Sequence, residues 1–274
     1  MNTERRHFLR QLTCVLPGLA ALAQTTSAHA QQRAGQPPPA HDMSAMPPTW
    51  MGSELIVQVL YPGFTALDLI GPHYFLSSLM GAKVLLAART KDLVSSDAGV
   101  KIMPDITFAE CPEKMDLLCV PGGTTGTLAA MQDKETMDFI RRAGASARVV
   151  SSVCTGSLIL GAAGLLKGRK ATSHWLVKDL LPNFGAIPSD DRVVEDGRVI
   201  TAAGVTAGMD FGLHMSLKWR DREYTDCLAL LAEYDPHPPT TAGDPAKAPA
   251  HSRQLMVDML AGFHQKVEVI SKGG

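Results

Sequence analysis

Arg148-Val149-Val150-Ser151-Ser152-Val153, followed at once by Cys154-Thr155-Gly156-Ser157-Leu158-Ile159-Leu160, is the stretch that decides the fold. The first run is short and β-branched, as a strand buried on both faces must be. The second is apolar with small residues at its start, and its spacing predicts a helix from Thr155 to Leu166. A buried strand that turns directly into a helix is half of a βαβ unit. Such units build parallel sheets with right-handed crossovers.

The same alternation recurs outward from this point. Upstream, strands are predicted at Leu55 to Leu60, Lys83 to Ala88, Val100 to Met103 and Asp116 to Val120. Helical spacing covers Thr65 to Met80, with an interruption expected at Gly71-Pro72, and again Lys134 to Ala145. Downstream, Asp196-Gly197 joins the strands Arg192 to Glu195 and Arg198 to Thr201, and helices follow over Ala207 to Lys218 and Arg222 to Tyr234. The fold class is α/β: a doubly wound sandwich over residues 54–235, with a mostly parallel central sheet flanked by helices. Residues 236–274 read as an extension, a Pro-rich loop from Pro236 to Pro249 and a final helix from His251 to Lys266. Residues 31–53 are rich in Pro, Ala, Gln and Met without periodicity and read as a flexible linker. Its His41, Asp42, Met43 and Met46 are copper-type donors, but a tether enforces no coordination geometry.

Residues 1–30 read as an address. Arg5-Arg6 followed by Phe8-Leu9 and a basic Arg10 form a twin-arginine pattern, an apolar stretch runs from Leu12 to Ala23, and Ala28-His29-Ala30 is an A-x-A site. About 12 apolar residues fall short of the ~20 that span a bilayer. The expectation is delivery by the twin-arginine export machinery, cleavage after Ala30 and a periplasmic protein with no membrane anchor. The 26 basic and 27 acidic residues give a net charge of −1. Removal of the basic leader makes the remainder mildly acidic, which argues against a nucleic-acid partner. Cys111, Cys119, Cys154 and Cys227 are too few for a disulfide scaffold, and the absence of Cys-x-x-Cys or His-x-x-x-His spacing predicts no metal site.

Three loops at predicted strand ends carry chemistry. Cys154 sits where a strand becomes a helix, the position of a nucleophile on a tight elbow, and the helix start favours thiolate. The same local sequence also suits a buried structural cysteine. Pro121-Gly122-Gly123 follows another strand, and its two glycines let backbone amides approach a ligand or developing charge, although a plain turn has the same composition. Asp68 is a lone acid among apolar neighbours: either a carboxyl buried with a partner or one that satisfies its own helix start. His174, in Thr172-Ser173-His174-Trp175, is either an orienting group or a structural histidine bonded to backbone. Cys119 lies within a strand and reads as core.

The strings SVCTGSLILGAAGLLKGRKATSHW, YPGFTALDLIGP, LLCVPGG, GVTAGMDFGLHM and ALLAEYDPHPP together resemble the DJ/PfpI superfamily, with its class I glutamine amidotransferase-like fold, and most of all its isonitrile hydratase branch. The resemblance runs from about Leu55 to Pro239. It implies a flavodoxin-like sandwich, a homodimer, no cofactor and a small-molecule substrate. It also implies a catalytic set of Cys154, Asp68 and Thr155 that adds water to an isonitrile to give an N-substituted formamide through a Cys154 thioimidate. Gly122, Gly123 and His174 are the expected oxyanion and substrate-binding residues. The protease-like branch has histidine directly after the nucleophile, where this chain has Thr155, which speaks against peptidase activity. AraC-type regulators share the cysteine motif but add a helix-turn-helix region, in whose place stands a Pro-rich tail. Two alternatives stay open: a glyoxalase or deglycase acting on reactive carbonyls, and a non-enzymatic redox-sensing stress or ligand-binding protein.

Overall fold

A computed structural model describes residues 46–272. The export signal, its cleavage site and the linker positions His41, Asp42 and Met43 lie outside the described residues. The main sheet has seven strands: β1 (Leu55–Val59), β2 (Lys83–Ala88), β5 (Ile106–Thr107), β6 (Leu117–Val120), β7 (Val149–Val153), β10 (Val193–Asp196) and β11 (Val199–Ala202). Their order is β10-β11-β7-β6-β1-β2-β5. Every pairing is parallel except β10 with β11, joined at the Asp196-Gly197 turn where Gly197 takes a positive φ. Two small ladders stand apart, β3 (Val94–Ser95) with β4 (Lys101–Ile102) and β8 (Lys170–Ala171) with β9 (Ile187–Pro188).

The helices are α1 (Ala66–Ser77), α2 (Thr125–Gln132), α3 (Lys134–Ser146), α4 (Gly156–Ala162), α5 (Ala207–Trp219), α6 (Arg222–Leu231) and α7 (Ala250–Lys272), with a 3₁₀ segment at Lys178–Phe184. Alternation along each strand assigns its side chains to two cores. Val57, Val59, Leu118, Val120 and Val150 face the layer of α2, α3 and α4, where Phe108 stacks on Phe139 at 4.2 Å. Ile56, Leu117, Val149 and Val153 face the layer of α1, α5 and α6. Both faces are covered, so β6 and β7 are buried at every position, and each fully buried Leu or Phe contributes roughly 1.5–3 kcal/mol.

From β1 the chain builds outward through β2 to β5, then returns to place β6 on the other side of β1. That reversal leaves a crevice at the carboxyl ends of β1 and β6, where doubly wound sheets bind ligands. The chain leaving these strand ends carries Asp68 in the first turn of α1, Gly122-Gly123 just after β6 and Cys154 just after β7.

Several expectations are corrected. α1 runs unbroken through Pro72, because the proline ring packs on Gly208 of α5, where an added Cβ would come within 2.9 Å of it. The linker does not extend to Ser53. Trp50 is buried, its indole N–H donates to Asp221 Oδ2 at 2.8 Å, and its ring meets Tyr224 edge-on at 4.9 Å. Helix α2 was not anticipated, α4 ends earlier than Leu166 at Ala162, and α7 is longer than expected at both ends. Nor is α7 peripheral, since its Val267 is fully buried in the α2–α4 core.

Candidate active site

Cys154 occupies the elbow between β7 and α4 with φ of 58°, a left-handed conformation that costs a non-glycine residue about 1–2 kcal/mol. The surroundings hold it there. Its N–H donates to the carbonyls of Ala202 (3.1 Å) and Ala203 (2.7 Å) at the end of β11, and its carbonyl accepts the hydroxyls of Ser157 (3.2 Å) and Ser173 (3.1 Å). Two residues on, Gly156 is required, because an added Cβ would lie 2.2 Å from the Val120 carbonyl oxygen. Ser173 went unread in the sequence; no local signal marks a hydroxyl that reaches back to the elbow.

Asp68 lies in the first turn of α1 and is fully buried. It does not satisfy its own helix. Its Oδ2 accepts the Gly122 N–H at 3.0 Å across the crevice, and among the described residues no donor reaches its Oδ1. Burial raises its pKa from 3.8 to about 7, outweighing the Gly122 amide and the Cys154 thiol, which both favour the carboxylate. Asp68 and Cys154 therefore lie close enough that each shifts the other's titration. Burial first, then the negative charge of Asp68, push the Cys154 thiol well above its ordinary range, and the Thr155 amide does not offset them. Burial thus works against the thiolate expected at the helix start and favours the thiol, beside a carboxyl whose pKa is raised to about 7.

Thr155 is buried, and its hydroxyl is a hub. It donates to the Gly123 carbonyl (2.8 Å), receives the Gly123 N–H (2.9 Å) and meets the Thr127 hydroxyl at 2.8 Å. One donor and two acceptor positions are thereby all occupied. Tyr61 continues the network, donating to the Pro121 carbonyl at 2.7 Å. The expected oxyanion role of Gly122 and Gly123 is corrected accordingly. Both amides point inward, one at Asp68 and one at Thr155, and fix the loop against the acid and the elbow. Gly122 has no room for a side chain, since a Cβ would fall 2.6 Å from Thr155 Oγ1 and 2.8 Å from Asp68 Oδ2. Thr155 is a positioning residue here. Thr155→Val strands three buried polar groups and should cost roughly 1–3 kcal/mol in chemical denaturation. It should also slow turnover about tenfold, with Thr155→Ser restoring both; an inactive Thr155→Ser of normal stability would overturn this role.

Cys154 lines a cavity of about 130 Å³. Thr65, Gly123, Thr124 and Thr155 share its lining with the apolar Leu176, Val205, Leu260 and Phe263. His174 lines it too; its Nδ1 accepts the Leu176 amide at 3.4 Å, and burial lowers its pKa, so it is a neutral imidazole. His174 and Val205 also border a larger cleft of about 650 Å³, which places the histidine between the inner cavity and the outer surface. Cys119 is core, as expected: burial pushes its thiol to about 12. Leu260 and Phe263 went unread as site residues.

Residues 55–217 match the sequence model of the DJ-1/PfpI family. The chain belongs to the DJ-1/PfpI family. Isonitrile hydratase of Pseudomonas putida is 46% identical over 192 residues, covering 70% of this chain and 83% of that protein. Deglycase PfpI of Pyrococcus furiosus is 31% identical over 140 residues, 51% of this chain and 83% of its own. The crystal structure of a THiJ/PfpI family protein from Pseudomonas syringae superposes with a TM-score of 0.81 at 51% identity, covering 86% of this chain and 97% of that one. DJ-1/PfpI membership and the similarity to the hydratase make this chain an enzyme.

Proposed function

We propose that the protein hydrates isonitriles to N-substituted formamides, with Cys154 as nucleophile and Asp68 as proton carrier. The observation that carries this reading is the buried pair itself: a thiol that resists ionisation against a carboxyl whose pKa of about 7 suits both giving and taking a proton. The similarity to the Pseudomonas putida enzyme supports the same substrate class.

The thiol proton passes to the Asp68 carboxylate and from it to the terminal isonitrile carbon. Sulfur bonds to that carbon as it becomes electrophilic, giving a thioimidate, R–N=CH–S–Cys154. Water then adds to the same carbon. One of its protons moves through Asp68 to nitrogen. Collapse breaks the C–S bond, the oxygen becomes the formyl carbonyl, and the last proton returns through Asp68 to sulfur. No full oxyanion has to accumulate, so the site needs a relay more than free amide donors. This favours an isonitrile over a reactive carbonyl, whose addition step develops an alkoxide, because the Gly122 and Gly123 amides are already engaged. The test is a parallel assay of cyclohexyl isocyanide and methylglyoxal, with intact-mass detection of the thioimidate. Turnover of the dicarbonyl alone would replace this reading with the deglycase one.

The proposal includes twin-arginine export, a periplasmic mature form starting at Gln31 and a homodimer. Isolating the exported form checks all three. Its N-terminal sequence should begin at Gln31, and light scattering should give the mass of two chains. Precursor should stay in the cytoplasm when Arg5 and Arg6 are both replaced by Lys; undiminished export would overturn the assignment.

A further inference from the structure

Helix α7 closes the Cys154 cavity from outside the residues that match the family model. Leu260, Phe263 and Val267 follow the i, i+3, i+7 spacing of one helix face. Val267 anchors that face in the core, His264 Nε2 lies 3.1 Å from Asp179 Oδ2, and Asn183 donates to Ser271 Oγ at 2.9 Å. The helix is therefore fixed over the 3₁₀ segment, and Leu260 and Phe263 are held in the lining of the Cys154 cavity. Leu260 and Leu176 also border a separate cleft of about 370 Å³, so these two side chains stand between that space and the Cys154 cavity.

We propose that Leu260 and Phe263 are the specificity-determining residues of this enzyme. Together they restrict the electrophile at Cys154 to one that carries a compact apolar substituent. Leu260 and Phe263 share the cavity lining with Cys154, so an R–N≡C whose terminal carbon meets the thiol there brings R against the α7 side chains. A dry apolar cavity of roughly 150 Å³ holds a benzene-sized guest. The Cys154 cavity, lined by threonines and His174 as well as by apolar side chains, offers about 130 Å³, room for a substituent of about one six-membered ring. Apolar pockets discriminate by roughly 10–200-fold per misplaced methylene. A second ring should therefore be strongly rejected until Leu260 is cut back and the neighbouring cleft becomes reachable.

The substrate class rests on the hydratase reading, but the wall does not, and the experiment separates them. The kcat/KM ratio for cyclohexyl over 4-biphenylyl isocyanide is measured in the wild type, Leu260→Ala, Phe263→Ala and Leu260→Phe. In parallel, the relative rates at which iodoacetamide and its N-(4-biphenylyl) derivative alkylate Cys154 are read by peptide mass. The Ala variants should lower both ratios at least tenfold, and Leu260→Phe should raise them. General damage to the fold slows both members of each pair and leaves the ratios unmoved. Unchanged ratios in all variants would overturn the wall while leaving the hydratase reading intact. Changed alkylation ratios without turnover of any isocyanide would keep the wall and remove the hydratase reading.

Discussion

Cys154→Ala is expected to abolish isonitrile turnover, by roughly 10⁴–10⁶, the range seen when a covalent nucleophile is deleted from an organised site. The fold should survive the change. Alanine keeps the Cβ that makes the φ of 58° costly, so the strain is unaltered, and the clamping hydrogen bonds use only the backbone of Cys154. The lost contacts are those of one buried sulfur. Two controls sharpen the result. Cys154→Gly removes the Cβ and should relieve about 1–2 kcal/mol of backbone strain, so its melting temperature should not fall as cavity formation alone predicts. The other cysteines predict the opposite chemistry: Cys119→Ala should lose stability and keep turnover, because Cys119 packs inside β6. Cyclohexyl isocyanide hydration and intact mass after rapid quench measure all of this. Residual turnover within tenfold of wild type in Cys154→Ala would remove the covalent mechanism.

The elbow could be read in the sequence because its causes are local. A β-branched run, a reactive residue and two small residues in succession leave few backbone solutions. The sheet was readable for the same reason, since fully buried strands must be continuously apolar. What stayed hidden depends on long-range contacts. Asp68 stood out as an anomaly, but its partner Gly122 is fixed only when the chain reverses between β1 and β6. Glycine composition shows access and not direction, so the Gly122 and Gly123 amides read as ligand-facing in the sequence while the fold turns both inward. Trp50 reads as part of a Pro- and Met-rich tether until Asp221 arrives to bind it. Pro72 breaks a helix by local rules and is retained by packing on Gly208. Leu260 and Phe263 look like any amphipathic stripe, since periodicity shows that a face is covered and not that a reactive sulfur lies beneath it.

Asp68→Asn should lose activity and gain stability, and the gain should grow with pH. Its loss in turnover is expected at 10²–10⁴, since the amide keeps the shape and the Gly122 contact but cannot relay a proton. The stability effect follows from the raised pKa. Between pH 3.8 and about 7 the folded protein retains a proton at Asp68 that the unfolded chain has released. Stability therefore falls as pH rises through that window and is flat above it. Three pKa units at about 1.4 kcal/mol each put the full penalty near 4 kcal/mol, an upper bound for a site that relaxes on ionisation. Asparagine carries no such penalty. Urea unfolding should show the variant close to wild type near pH 4, already more stable by pH 5 and roughly 2–4 kcal/mol above it at pH 8. Removing the carboxylate also removes the charge that helps hold the thiol protonated, so alkylation of Cys154 by iodoacetamide should begin at lower pH in the variant. A carboxylate that merely satisfied its helix start would give the reverse: near-normal turnover, a loss of about 1 kcal/mol that is present at neutral pH, and an unmoved alkylation profile. A stability difference that does not vary between pH 4 and 8 would show that the buried carboxyl is not held near neutrality. Asp68 would then be excluded as the proton carrier.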